Sequence, residues 1–459
     1  MGNNTSVKHP KGLYVCSLTF TFERFAYYGS KSLLLLFLAE VVLNGGLGVS
    51  AADAAIIGSN LIAFTYLAPV IGGIISDRWL GARYCVVIGA LIMAAGWFIG
   101  YFATSVMYVH ALVAVVSIGT GLFKGQLNAL VGELYDDNSR KDSAYSILYS
   151  FVNIGSFFGS LIMGFLYANT FATVVDGHVV FGFRQCFAVS GAMMLVCAAF
   201  FFFGWRFLGD AGKLPQSRLG GSEHHEVSKE DANRPLTPAE KKRTTAIIII
   251  SAFTIIFWTF YYQASTSVLL YMQNFVNMNV GSFAVPPVWI ETTFNALLCI
   301  LLGPVMAAIW TKLANRPQGD LSMLQKVALG FIFLGAGFVF MVGAEMSRGA
   351  SLDPSIKASV AWLFGFIAFQ SLGEMCFSPL GNSMVSKHAP AKYLTVLMGV
   401  WTLATFAASK ASGYVQGIMD KMGMLQVFIA IPVILIISAV LLLALNKKLT
   451  TMLEASDEN

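Results

Sequence analysis

The sequence predicts an all-α membrane protein that crosses the bilayer twelve times. Three observations carry this. The 459-residue chain is 56% hydrophobic and only 12% charged, about half the share of charge in a soluble globular chain. Apolar runs of about 20 residues, each long enough to cross a bilayer as a helix, recur along the whole length. The basic residues are also distributed unevenly. With both termini inside, 21 of the 29 Lys and Arg fall on the inner side and four on the outer, leaving Arg24, Lys31, Lys124 and Lys410 within spans. That asymmetry sets the expected orientation, with both termini cytoplasmic.

The spans run in order over residues 14–38, 53–75, 84–103, 106–133, 143–168, 184–206, 245–276, 288–313, 322–344, 357–386, 393–418 and 424–446. The fourth, seventh and tenth are long, which implies tilt or extension beyond the membrane. The polar start, Met1 to Lys11, runs into a segment too long for the apolar core of a cleaved signal. The largest polar interruption, Gly209 to Arg243, divides the spans six and six. It is read as a cytoplasmic linker (209–243) between an N-terminal bundle (1–208) and a C-terminal bundle (244–459). Thr237-Pro238-Ala239-Glu240 has the composition of a helix start just before the seventh span.

Several function classes are excluded early. The basic residues lie in loops between spans, so the net charge of +5 reflects orientation and not nucleic-acid binding. Cys16, Cys85, Cys186, Cys197, Cys299 and Cys376 lie in or at the edges of apolar runs without metal-ligand spacing, and are expected as small buried residues. His224-His225 reads as a solvated linker pair. No nucleophile–base pair, metal cluster or phosphate loop stands out, so neither an enzyme nor a cofactor is expected.

The informative residues are charged groups inside spans, costly by about 2.5–3.5 kcal/mol each on insertion scales. Glu23, Arg24 and Lys31 lie in the first span, Lys124 in the fourth and Glu374 in the tenth. Such residues face a polar cavity or one another. Glu291, near the outer start of the eighth span, is read as an interfacial carboxylate, and Lys410 is assigned no role.

Six plus six spans around a basic linker resemble the major facilitator superfamily, which implies pseudo-symmetric halves with the substrate between them near the midplane. The loop from Gly72 to Arg83, with Asp77, Arg78 and Arg83, resembles that superfamily's signature; the resemblance implies a conformational latch. More specific motifs accumulate. Glu23-Arg24-Phe25-Ala26-Tyr27-Tyr28-Gly29, Phe123-Lys124-Gly125, Asn153-Ile154-Gly155-Ser156 and Gly373-Glu374-Met375-Cys376-Phe377-Ser378-Pro379 stand in both halves. They resemble signatures of the proton-coupled oligopeptide transporter family. That resemblance implies a secondary-active importer of di- and tripeptides in the cytoplasmic membrane, working as a monomer with peptide and protons as partners. It implies that Lys31 and Lys124 attract the peptide carboxylate and Glu374 its ammonium. Asn153 and Asn295 meet amide or terminal groups, and Tyr27, Tyr28, Tyr66, Trp258 and Trp401 line side-chain pockets. Glu23, Arg24 and Glu374 are implied in proton coupling. Glu23 and Arg24 can equally pair to hold the first span against the fourth.

Two positions depart from the family pattern. Phe20 stands where the family's first-span signature begins with Glu, and Tyr262 where the seventh span usually carries an acid before Gln263. Phe cannot titrate, and Tyr is neutral near pH 7. Altered coupling is therefore expected, with three routes open: a lysine with a lowered pKa, coupling through Glu23 or Glu374, or a substrate that supplies the negative charge. Carriers of small anions such as nitrate or of peptide-like metabolites, and a membrane receptor without coupled transport, are the competing readings.

Overall fold

The computed structural model describes residues 9–135, 138–215, 234–317, 319–378 and 380–456. Helices dominate: α1 (Lys11–Ala39), α2 (Ala51–Ile75), α3 (Ala82–Tyr101), α4 (Val106–Glu133), α5 (Asn138–Phe165) and α6 (Phe183–Gly204) precede the polar stretch. After it come α7 (Pro238–Tyr261), α8 (Ser267–Phe275), α9 (Asn295–Ala314), α10 (Met323–Ser347), α11 (Ala361–Phe377), α12 (Leu380–His388), α13 (Leu394–Met422) and α14 (Met424–Leu453). Among the described residues, ten helical segments are long and apolar enough to cross a membrane. The other two expected spans are helical as well. The first is α1, whose charged residues lower its hydropathy, and the tenth contains α11, an apolar helix of 17 residues. The central part of the expected linker, with His224-His225, lies outside the described residues.

Helix ends follow local chemistry. At the start of α7, the Thr237 hydroxyl accepts from the Glu240 amide while the Glu240 carboxylate accepts from the Thr237 amide. This is the reciprocal cap expected from the four residues there. Ser322 and Gln325 repeat the device at the start of α10. Two spans read as continuous are broken. The seventh is interrupted by a tight helical turn over Tyr262–Ser265, with Thr266 leaving helical geometry. Side chains replace the lost backbone bonds: the Thr266 hydroxyl donates to the Tyr262 carbonyl, and the Gln263 amide to the Thr259 and Ser412 carbonyls. Such replacement is required where a helix is broken within a bilayer. The eighth span opens with a wide turn over Trp289–Phe294 before α9. Between α5 and α6, β1 (Thr173–Val175) and β2 (His178–Val180) form a hairpin in which Asp176 and Gly177 take positive φ, as a two-residue turn demands.

The described chain divides into two compact units, residues 1–31 with 67–222, and residues 32–66 with 223–459. In the first, α3 and α4 cross closely. A Cβ on Gly89 would lie 2.6 Å from the Gly119 carbonyl oxygen, and one on Gly119 2.7 Å from that of Gly89. In the second, α10 and α11 meet the same way, with Gly330 and Gly373 each facing the other's carbonyl oxygen at 3.0 and 2.9 Å. The third and fourth spans thus pack as the ninth and tenth do, through small residues that let backbones approach. The outward face of α14 carries Ile429, Val433, Ile437 and Val440, all exposed, while Phe428, Ile431, Leu435 and Leu442 are buried. An apolar exposed stripe suits lipid contact.

Candidate functional site

In the first unit the site is built on α1. Glu23 and Arg24 are both buried, and form a two-point ion pair: Arg24 Nε donates to Glu23 Oε2 and Nη2 to Oε1. The guanidinium also lies over the rings of Tyr27 and Tyr28, 5.0 and 5.5 Å from their centroids, and Lys31 Nζ lies 5.3 Å from the Tyr28 centroid. Aromatic faces stabilise these cations at the point where water is scarce. Lys124 on α4 is within electrostatic range of both Glu23 and Arg24. Phe20 is buried and packs edge-on against Phe123, the neighbour of Lys124, at 6.1 Å. The position therefore supplies packing between α1 and α4 and no charge.

Helix α5 supports this side of α1. A Cβ on Gly155 would strike the Thr21 carbonyl oxygen, and the Thr21 hydroxyl donates to the Phe151 carbonyl at 3.0 Å. Asn153 is half-buried, and its side-chain nitrogen donates to Tyr149 O of its own helix at 3.0 Å. Its carbonyl oxygen is the atom it can offer to a ligand.

The second unit holds Glu374 on α11. Its Oε2 accepts from the Tyr261 hydroxyl at 2.5 Å, from Asn295 Nδ2 at 3.3 Å and from Cys299 Sγ at 3.6 Å. Asn295 also donates to the Ser371 hydroxyl at 2.9 Å, which fixes its amide. Trp258 stands over Tyr261 and Tyr262, 4.9 and 5.5 Å between centroids, and Phe377 closes the group against Phe257 at 4.0 Å. Tyr262 donates to the Tyr66 hydroxyl at 2.8 Å. Trp401 on α13 packs over Gly381, where a Cβ would collide with the indole. The result is an oriented carboxylate beside aromatic surface, suited to an ammonium group.

Of the residues expected to act as a latch, Asp77 and Arg78 are exposed on the turn after α2. Arg83 is buried. Its Nε donates to the Ala211 carbonyl at 3.0 Å and Nη2 to the Gly209 carbonyl at 2.9 Å, and its guanidinium lies 5.9 Å from the Trp205 ring. It staples the segment after α6 to the start of α3.

The structure adds residues that the sequence reading passed over. Tyr261 is a direct partner of Glu374. Lys410 donates to Asn60 Oδ1, tying α13 to α2. Glu291 is not interfacial: only 5% of it is exposed, and it accepts from the hydroxyls of Ser32, Ser265 and Thr292. The wide turn at Trp289–Phe294 rotates Glu291 inward, which helical periodicity alone does not reveal. A carboxylate within an apolar run was the available signal.

Ionisable groups held within helical spans are the build of a membrane transporter. The POT family model matches residues 83–218 and 223–434, and the chain belongs to that proton-coupled oligopeptide transporter family. The chain is 27% identical to the peptide transporter YePEPT of Yersinia enterocolitica, over 97% of this chain and 95% of the relative. It is also 27% identical to dipeptide and tripeptide permease A of Escherichia coli, over 97% and 94%. A crystal structure of a mutant of the peptide transporter POT in complex with alafosfalin superposes with a TM-score of 0.85 at 25% identity, covering 99% of this chain and 97% of that one. The fold is therefore that of the major facilitator transporters, and the family and its solved neighbours are transporters, not enzymes.

Proposed function

We propose that the protein imports di- and tripeptides across the cytoplasmic membrane by alternating access, driven by protons. The observation that carries the reading is the Glu374 cluster, a carboxylate oriented by Tyr261 and Asn295 beside Trp258. It offers the peptide ammonium a charged partner, and the aromatic rings accept side chains of many shapes. Lys31 and Lys124 are the cations offered to the peptide carboxylate. Tyr27, Tyr28, Tyr66, Asn153, Asn295 and Trp401 complete the proposed contacts, and Glu23 and Arg24 form the charged support beneath Lys124. The names of the relatives, peptide transporter and dipeptide and tripeptide permease, support the substrate class.

In this reading the two halves are six-helix bundles, 1–208 and 244–459, joined by a cytoplasmic linker. Asp77, Arg78 and Arg83 stabilise one state of the cycle, and the protein works as a monomer with both termini inside. The test is dialanine uptake into proteoliposomes at two external pH values, with nitrate as competitor. Uptake that rises in acid and is unaffected by nitrate is expected. Nitrate transport without dialanine uptake refutes the reading.

A further inference from the structure

The second unit holds a cavity that shares no residue with the Glu374 cluster. It has a volume of about 210 Å³ and lies among the start of α2, α8, and the adjoining ends of α13 and α14. Its walls are apolar: Leu270, Phe275 and Met419 line it together with Tyr271, whose ring centroid is 5.7 Å from that of Phe275. The Tyr271 hydroxyl donates to Glu345 at 2.9 Å, which fixes the ring. Small-molecule sites have this build, an apolar body with a few placed polar groups.

The polar groups sit at its two ends. Ser267, the first residue of α8, is 1% exposed, and its hydroxyl has no hydrogen-bond partner among the described residues. A buried hydroxyl left in that condition is costly and uncommon. Two turns further along α8, about 10 Å away, stands Asn274, and α13 adds Gln416 and Asp420. Asn274 and Asp420 are exposed, so this end is the mouth and Ser267 the floor. Both amide nitrogens at the mouth are engaged: Asn274 Nδ2 donates to the Leu270 carbonyl at 3.1 Å, and Gln416 Nε2 to Asp420 Oδ1 at 2.8 Å. What these three side chains can offer a ligand is two amide oxygens and a carboxylate, all acceptors. The cations nearby are engaged or in solvent. Arg348, over the Phe275 ring at 4.3 Å, pairs with Glu345; Lys357 donates to the Asn274 main-chain oxygen; and Lys421, next to Asp420, is exposed.

An acceptor-only mouth selects a ligand rich in donors, and its carboxylate selects a positive one. The Tyr271 and Phe275 rings and the Met419 thioether suit an aromatic body. The Ser267 hydroxyl asks for one hydrogen-bonding group at the far end.

We propose that this cavity binds a small arylalkyl ammonium ion that carries a hydroxyl on its ring. The ammonium sits at Asp420, Gln416 and Asn274, the ring lies against Tyr271, Phe275 and Met419, and the hydroxyl meets Ser267. Tyramine has this form, and phenethylamine differs from it only in lacking the hydroxyl.

The experiment measures equilibrium binding of labelled tyramine, and its displacement by phenethylamine, on the purified full chain in lipid nanodiscs at pH 7. Wild type, Ser267→Ala, Asp420→Asn and Glu374→Gln are compared. Wild type is expected to bind tyramine saturably at one site, with phenethylamine about five- to tenfold weaker, the value of one hydrogen bond. Ser267→Ala should bind the two amines equally, and should also melt higher than wild type when empty, because an unpaired buried hydroxyl is gone. Asp420→Asn should weaken both amines by about fivefold or more. Glu374→Gln should bind tyramine as wild type does. No saturable binding to wild type overturns the proposal. So does a preference for tyramine that survives Ser267→Ala, or affinity unchanged in Asp420→Asn. Loss of binding in Glu374→Gln assigns the amine to the Glu374 cluster and overturns the proposal too. If Ser267→Ala does not fold, Asp420→Asn, altered at an exposed position, decides alone.

Discussion

Replacing Glu23 by Gln should destabilise the protein by about 3–5 kcal/mol, the usual result of leaving a buried charge without its partner. The estimate applies because Glu23 is 0% and Arg24 5% exposed, and because two bonds from the guanidinium end on the same carboxylate. Gln offers one acceptor oxygen where the carboxylate offers two, and it carries no charge to balance Arg24. The rings of Tyr27 and Tyr28 remain near the guanidinium, each cation–π contact worth about 2 kcal/mol or less, so they offset part of the loss and not all of it. Replacing Arg24 by Met together with Glu23 by Gln removes both charges. The double variant should then recover about half or more of the loss, since buried pairs are often replaced by apolar groups at little net change. Unfolding in detergent, followed by tryptophan fluorescence across the full double-mutant cycle, gives the coupling energy. A single variant within about 1 kcal/mol of wild type, as for an exposed pair, would refute the reasoning.

Three further outcomes follow from the geometry. Tyr261→Phe removes the hydroxyl that orients Glu374, and a lost bond to a charged group of about 1.5–3 kcal/mol should weaken dialanine binding by about tenfold or more, measurable by competition binding. Gly119→Val puts a branched side chain against the Gly89 carbonyl oxygen and should abolish the monodisperse folded fraction on size exclusion, whereas Gly303→Ala, with open space around its Cβ position, should be neutral or stabilise by up to about 1 kcal/mol. Arg83→Gln should release the segment after α6, giving faster proteolysis within residues 209–214 and a loss of about 2 kcal/mol or more from its buried carbonyl bonds.

Much of the fold was legible because a bilayer imposes a strong length and polarity rule. Each span in α3, α4 and α6 begins and ends within two residues of its apolar run. The helix start at Thr237 was legible because a capping box is a four-residue property. The breaks were not. At Tyr262–Thr266 there is neither Pro nor Gly, and the turn survives only because Gln263 and Thr266 re-satisfy the backbone, one of them through Ser412 on a distant helix. The charged residues of the candidate site were legible as expensive groups in apolar runs. Their partners were not: Tyr261 reaches Glu374 across 113 positions of sequence. The spacing of Tyr261 on α7 matches packing as well as it matches a ligand role.

The sequence by itself determined that this is a polytopic helical membrane protein and which charged residues are too costly to be incidental. It also exposed Phe20 and Tyr262 as non-acidic positions. Hydropathy and charge determine these points because they act residue by residue against a uniform solvent. Only the tertiary structure decided what the charges meet: Arg24 on Glu23, Tyr261 on Glu374, and hydroxyls from Ser32, Ser265 and Thr292 on Glu291. The direction in which a carboxylate points depends on local helix winding and on side chains hundreds of positions away. Those are properties of packing, and periodicity does not carry them.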